Sequence, residues 1–224
     1  MLDGDSPRGG PKRRMTDHYD VHGSDEGMFE PGSNEQVLRN LVGITDPERM
    51  EGLEFDLLEI LQSLLYDEID VDETITCAHL RDWHRRWLGN LYSWAGQHRR
   101  VNLSKDGFPF MLAGKIDDAM AEYERDLLMA WTPCLDLSED QLIEALAICH
   151  VELILIHPFR DGNGRIARLL ATIMALQAGL PQLDFSLMDA EKEHYITAIH
   201  AGMGCDYGPM QAIFREIVAA SMRE

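Results

Sequence analysis

The chain has 224 residues, enough for one domain with a short appendage, and its 45% hydrophobic against 26% charged residues can fill a real core. The net charge of −19 repels nucleic acid and anionic membranes, so a protein that coats DNA or lies on a lipid surface is disfavoured. Any anion site inside such a field needs local positive charge, which makes clustered arginines informative. No apolar run reaches the roughly 18 residues of a membrane span, and no signal-peptide core stands at the start. The cysteines Cys77, Cys134, Cys149 and Cys205 lie far apart without Cys-x-x-Cys pairing, and Cys149 falls in an apolar stretch. Reduced core thiols in a cytoplasmic protein are the expectation.

Residues 1–28 read as a flexible tail, rich in Gly, Asp, Arg and Pro and without hydrophobic period. Its basic cluster Lys12-Arg13-Arg14 reads as a solvated patch rather than a nucleic-acid arm. One domain is expected over 29–224, ordered from about Phe29-Glu30-Pro31-Gly32. Met50, Leu53, Leu57, Leu58, Leu61 and Leu65 predict a helix over 46–66. Thr76 is placed to cap a helix running through Leu80, Trp83, His84 and Trp87 to Leu91. The helical pattern breaks after Ala95-Gly96, and Asp106-Gly107 signals a hairpin turn in a small β-flap over 101–110. A helix follows over 112–131. Ser138-Glu139-Asp140-Gln141 is a capping box opening the most apolar helix, 139–156. Further helices are expected over 163–178, stopped by Gly179 and Pro181, and over 187–202 and 208–221. The sum is an all-α domain with one small β-hairpin.

The chemistry concentrates at residues 157–168, His-Pro-Phe-Arg-Asp-Gly-Asn-Gly-Arg-Ile-Ala-Arg. Pro158 stops the apolar helix, and Gly162 and Gly164 let the backbone turn its N–H groups inward where the next helix begins. Such a helix start binds anions through orphan donors and the positive dipole end. Asn163 can cap that helix or donate from its amide. Arg165 and Arg168, three apart, project from the same side of the first turns. Two guanidiniums beside a backbone nest make a polyphosphate site. A lone carboxylate, Asp161, would oppose phosphate there unless a magnesium ion bridges the two. His157 would then stand one turn of chain away from the phosphates and, neutral at its usual pKa, can take a proton from an incoming hydroxyl. Base, metal carboxylate, anion nest and arginines together describe nucleotide-phosphate transfer. Each feature alone is commonplace in helix–helix turns; the tight order makes the reading.

That segment resembles the Fic signature, His-Pro-Phe-x-(Asp/Glu)-Gly-Asn-Gly-Arg-x-x-Arg, without departure at a fixed position. Pro31-Gly32, Val37-Leu38-Arg39-Asn40 and Gly43-Ile44-Thr45-Asp46 look like the usual lead-in to Fic domains. Leu91-Tyr92-Ser93-Trp94-Ala95-Gly96 with Arg99-Arg100-Val101 is similar to the approach to the flap, and Gly202 to Phe214 resembles the tail of bacterial toxin-type members. The resemblance runs over about residues 29–221. It implies that His157 deprotonates a Tyr, Thr or Ser hydroxyl of a target protein, which attacks the α-phosphate of ATP and releases pyrophosphate. It implies Mg2+ on Asp161, an anion hole of Gly162, Asn163 and Gly164, Arg165 on the β-phosphate and Arg168 on the γ-phosphate. Ser104, Lys105, Asp106, Gly107 and Phe108 of the flap would align the target by strand addition. Tyr195 is a candidate nucleobase neighbour, although one aromatic at helical spacing also suits a core.

Gly164 favours AMP transfer, because phosphotransferase relatives of the Doc type carry Lys there. UMP or phosphocholine transfer, or a helical adaptor without chemistry, stay open. Many Fic proteins inhibit themselves through (Ser/Thr)-x-x-x-Glu-(Gly/Asn). Here Glu26-Gly27 and Glu51-Gly52 match only at one end, with His22 and Pro47 where Ser or Thr is needed. The resemblance therefore implies control in trans by a small antitoxin whose glutamate meets Arg168. His150, His79 with His84, and His194 with His200 lack the spacing and carboxylate company of a metal site. Trp83, Trp87, Trp94 and Trp131 read as core or rim packing, and Phe159 as a core anchor.

Overall fold

A computed structural model describes residues 25–68, 70–105 and 107–223. The segment 1–24, with Lys12-Arg13-Arg14, lies outside the described residues, and so does Asp106 of the flap turn. The helices are α1 Pro47–Glu68, α2 Cys77–Leu88, α3 Ile116–Tyr123, α4 Met129–Trp131, α5 Glu139–Ile156, α6 Asn163–Gln177, α7 Ser186–Ala190, α8 Lys192–Gly202 and α9 Gly208–Ser221. Between α2 and α3, β1 Ser104–Lys105 pairs antiparallel with β2 Phe108–Pro109, Ser104 opposite Pro109 and Lys105 opposite Phe108.

The capping box forms as expected: Gln141 N donates to Ser138 Oγ and Ser138 N is bonded to Gln141 Oε1 at 3.0 Å, so α5 starts at Glu139. Apolar on nearly every side, α5 is the central helix, packed by α3, α6, α8 and α9. Gly202 of α8 approaches it so closely that an added Cβ would lie 2.3 Å from Val151 Cγ1. Thr76 opens α2 with His79 as its reciprocal partner, Nδ1 accepting from Thr76 N at 3.1 Å.

Several boundaries depart from expectation; α2, expected to reach Leu91, ends at Leu88. The helix expected over 112–131 is a 3-10 turn at Ala113–Lys115, then α3, a π-helical stretch Glu124–Leu128 and α4. The widened turn breaks a register that hydrophobic spacing alone does not reveal. The helix expected over 187–202 breaks at Glu191 (φ −110°, ψ 46°) into α7 and α8, which leaves Asp189 near the end of a short helix. Order also begins before Phe29: Asp25–Gly27 form a 3-10 turn, with Glu26 buried and its carboxylate accepting from Arg100 N at 2.8 Å.

Candidate active site

Residues 157–162 turn the chain from α5 into α6. His157 adopts the left-handed conformation (φ 54°, ψ 59°), rare for a side chain with a Cβ, and so ends α5. Its Nδ1 lies 3.1 Å from the carbonyl of Ile154, an acceptor, so Nδ1 carries the proton and Nε2 keeps the lone pair. Burial, aided by the nearby Arg99 charge, pushes the imidazole down to about 4 and keeps it neutral at physiological pH. Phe110 stacks on the ring, centroids 3.7 Å apart and planes 14° apart.

Asn163 is 2% exposed, and both ends of its amide are spent on one residue: Oδ1 accepts from Phe159 N and Nδ2 donates to Phe159 O, each at 2.8 Å. Of the two expected roles, capping belongs to Gly162 and amide donation is turned inward to brace the loop. What Asn163 keeps for a ligand is its backbone N–H. With those of Gly164 and Arg165 it precedes any intrahelical acceptor, because the first such bond runs from Ile166 N to Gly162 O. Gly164 meets no atom within 4 Å of an added Cβ, so glycine there leaves open space over the helix start.

Gly162 is different. It has φ +78°, and an added Cβ would sit 2.5 Å from Trp87 Cζ3. Trp87 is 1% exposed and cannot retreat. Gly162→Ala is expected to lose about 2–4 kcal/mol, from left-handed strain plus overpacking. Calorimetry should then record a melting temperature about 5–15 °C lower. An unchanged melting temperature would show that the loop relaxes and the contact is soft.

Asp161 keeps a half-exposed carboxylate, while its backbone carbonyl lies 3.1 Å from His84 Nε2. His84 Nδ1 in turn accepts from Gly96 N at 2.8 Å, which leaves the proton on Nε2. Burial pushes His84 down to about 4, and its ring stacks on Phe159 at 4.0 Å and 11°. A neutral histidine of α2 thus props the loop. The sequence pattern gave it only a place in the helix, since it lies 77 residues from its partner.

The two arginines diverge. Arg165 leans toward α1, where its NH1 donates to Glu54 Oε2 at 2.8 Å and its guanidinium lies 4.5 Å from the Trp87 ring centroid. Glu54 is buried, accepts from Tyr92 OH at 2.7 Å, and is raised above the usual carboxylate range by burial against the pull of Arg165. Arg168 leans the other way and makes two bonds to Asp189 of α7, at 2.7 and 3.1 Å. The two half-matches to the inhibitory pattern do not supply this acid: Glu26 serves Arg100, and Glu51 is exposed.

The flap arches over His157 through Phe110, and Phe108 stacks on His200 at 4.6 Å. Lys105 lies near enough for its charge to help lower His157, and Gly107 takes the turn at φ +80°. Ser104 lies in the paired strand β1. Tyr195 is half-buried with its hydroxyl 2.9 Å from His150 Nε2, so its polar end serves the core and not a nucleobase.

Residues 74–175 match the family model of the Fic/DOC family. Relatives include the probable protein adenylyltransferase Fic of Escherichia coli (strain K12), 26% identical over 82% of this chain and 88% of that protein. The protein adenylyltransferase VbhT of Bartonella schoenbuchensis is 27% identical over 69% of this chain, and protein adenylyltransferase fic-1 of Caenorhabditis elegans 30% over 80%. The chain spans only 32% of the length of each of those two. The N-terminal Fic domain of a Bartonella effector protein from Bartonella sp. AR 15-3 superposes with a TM-score of 0.71, at 24% identity over 89% of this chain and 94% of that one. BepC from Bartonella tribocorum, solved with bound AMPPNP, gives 0.68 at 23% identity over 88% and 98%. At those identities the superpositions speak for the fold, and with the family model and the unbroken signature they agree that residues 74–175 form a Fic/DOC family domain.

Proposed function

We propose that the protein is a protein adenylyltransferase, which moves AMP from ATP to a Tyr, Thr or Ser hydroxyl of a target protein. The observation that carries this is His157: a neutral imidazole with its proton fixed on Nδ1 and its Nε2 left as base, beside a helix start flanked by Arg165 and Arg168. In the reaction Nε2 takes the hydroxyl proton, and the oxygen forms a bond to the α-phosphorus. The bond to the bridging oxygen breaks, and pyrophosphate leaves with that electron pair. The backbone N–H groups of Gly162, Asn163 and Gly164 line the anion hole; that of Gly162 is bonded to the Asp161 carboxylate and must be released by the nucleotide. Arg165 holds the β-phosphate and Arg168 the γ-phosphate, so that the α-phosphate faces the base.

Among the described residues no cluster of three or more His, Cys, Asp or Glu side chains can hold a metal unaided. The donor chemistry nonetheless fits Mg2+, which is commonly held by one carboxylate and substrate phosphates rather than by an all-protein cage. Asp161 would hold it, and it would neutralise charge between the α- and β-phosphates. The target docks by strand addition on the flap segment that carries Ser104, Lys105, Asp106, Gly107 and Phe108. No helix among the described residues is long and apolar enough to cross a membrane. We place the activity in the cytoplasm, on neither nucleic acid nor membrane, with a small antitoxin supplying the glutamate that closes Arg168.

Parallel incubations with α-labelled and γ-labelled ATP and a bacterial lysate test the proposal. Label reaching protein from the α position alone is expected. Label from the γ position means phosphoryl transfer, and none from either, with a target present, means another donor or an adaptor; both sink the reading.

A further inference from the structure

We propose that Arg99 is a positioning residue that ties the flap to the catalytic base, so that the strand which receives the target and the histidine which deprotonates it move as one unit. The assignment rests on His157 acting as the base. Arg99 is 2% exposed, and among the described residues every bond its guanidinium makes is to a backbone carbonyl. Nε donates to His157 O, NH1 to Val101 O and NH2 to Met111 O, each at 2.6 Å, and NH2 also reaches Ile156 O at 3.3 Å. Its backbone N–H donates to Pro158 O at 2.8 Å.

Those acceptors come from three stretches of chain. Val101 begins the flap, Met111 follows its end, and Ile156 to Pro158 are the turn that carries the base. A planar fork with donors fixed along two edges can join three strands of backbone; an ammonium, a point donor on a flexible stem, cannot. Among the described residues no carboxylate bonds this buried charge, and a cation set among carbonyls alone is costly to desolvate. Apolar side chains of the same volume would stitch a loop at less cost, so the cation is matched to holding dipoles in fixed places.

Two of those places decide the imidazole. The held carbonyl of His157 belongs to the residue in the left-handed conformation, and the ring's orientation follows from that backbone. The held carbonyl of Met111 adjoins Phe110, whose ring lies on the imidazole at 3.7 Å. Arg99 therefore fixes the histidine from beneath through its backbone and from above through the flap, without touching ATP or the target itself.

Arg99→Ala and Arg99→Lys, made in the full chain, test this. A misplaced base costs turnover and not nucleotide affinity, so kcat for AMP transfer is expected to fall about 100-fold in Arg99→Ala. The affinity for ATP, measured by calorimetry, should stay within about threefold, and Arg99→Lys should recover only part of the loss. Millimolar guanidinium should restore turnover in Arg99→Ala and leave the wild type unchanged. A readout independent of transfer is NMR titration of the His157 ring, which should move toward that of a solvated histidine in Arg99→Ala once Phe110 and the backbone are released. Equal loss of kcat and ATP affinity would assign Arg99 to general folding and overturn the proposal. Unchanged turnover, or an unmoved His157 titration, would overturn it as well. If the wild type moved no label from ATP, the function would fall while the titration still judged the coupling.

Discussion

Replacing His157 by alanine is expected to lower AMP transfer about 10²–10⁴-fold while ATP binds almost as tightly as before. The split follows from the division of labour in the loop. On the proposed mechanism the phosphates would meet helix-start amides and arginines, whereas the hydroxyl proton would pass to Nε2 of His157. The pH profile gives a second handle. Transfer needs neutral His157, which is fully present above its pKa and lost as pH falls through it. Burial holds that pKa down at about 4, so the acid limb of kcat/KM should lie well below the 6.5 of a solvated histidine. A limb near 6.5 would mean that the working ring is hydrated. Turnover surviving in His157→Ala would remove it as base altogether.

Local signals carried the sequence reading furthest. The Ser138 box set the start of α5, and Pro158 behind a left-handed His157 set its end, because capping and chain-stop chemistry act within a few residues. Likewise the order base, carboxylate, glycines and arginines along twelve consecutive residues suggested that they gather at one helix start, and the short turn from α5 into α6 does bring them to the start of α6. What stayed hidden were the groups that hold the site in place. Glu54 lies 111 residues from Arg165, and Arg99 is 58 from His157. On a helix face Glu54 reads as one more solvated acid, and only folding buries it beside Tyr92. Asn163 shows a different limit. Its chemistry permitted capping, donation to a ligand or bracing of the loop, and nothing in the spacing chose the third. The break at Glu191 was equally silent, yet it is what leaves Asp189 on a short helix within reach of Arg168.

Opposite changes at the Arg168–Asp189 pair should move ATP affinity in opposite directions. If Arg168 grips the γ-phosphate, Arg168→Ala loses charge-assisted bonds worth about 1.5–3 kcal/mol, and KM for ATP should rise about 10–100-fold. Asp189 makes two bonds to the same guanidinium from an exposed position, so it competes with the phosphate rather than creating its site. Exposed pairs are worth about 0.2–1 kcal/mol, and Asp189→Ala should therefore lower KM for ATP by up to about fivefold. Steady-state transfer at varied ATP, with each variant beside the wild type, reads both. A rise in KM in both variants would mean that Asp189 orients Arg168 for the nucleotide and is no rival to it. The same pair bears on the proposed control in trans: if a partner's glutamate closes Arg168, it must first displace Asp189. Removing Asp189 should then tighten the inhibitor along with ATP, because both ligands compete against the same internal carboxylate.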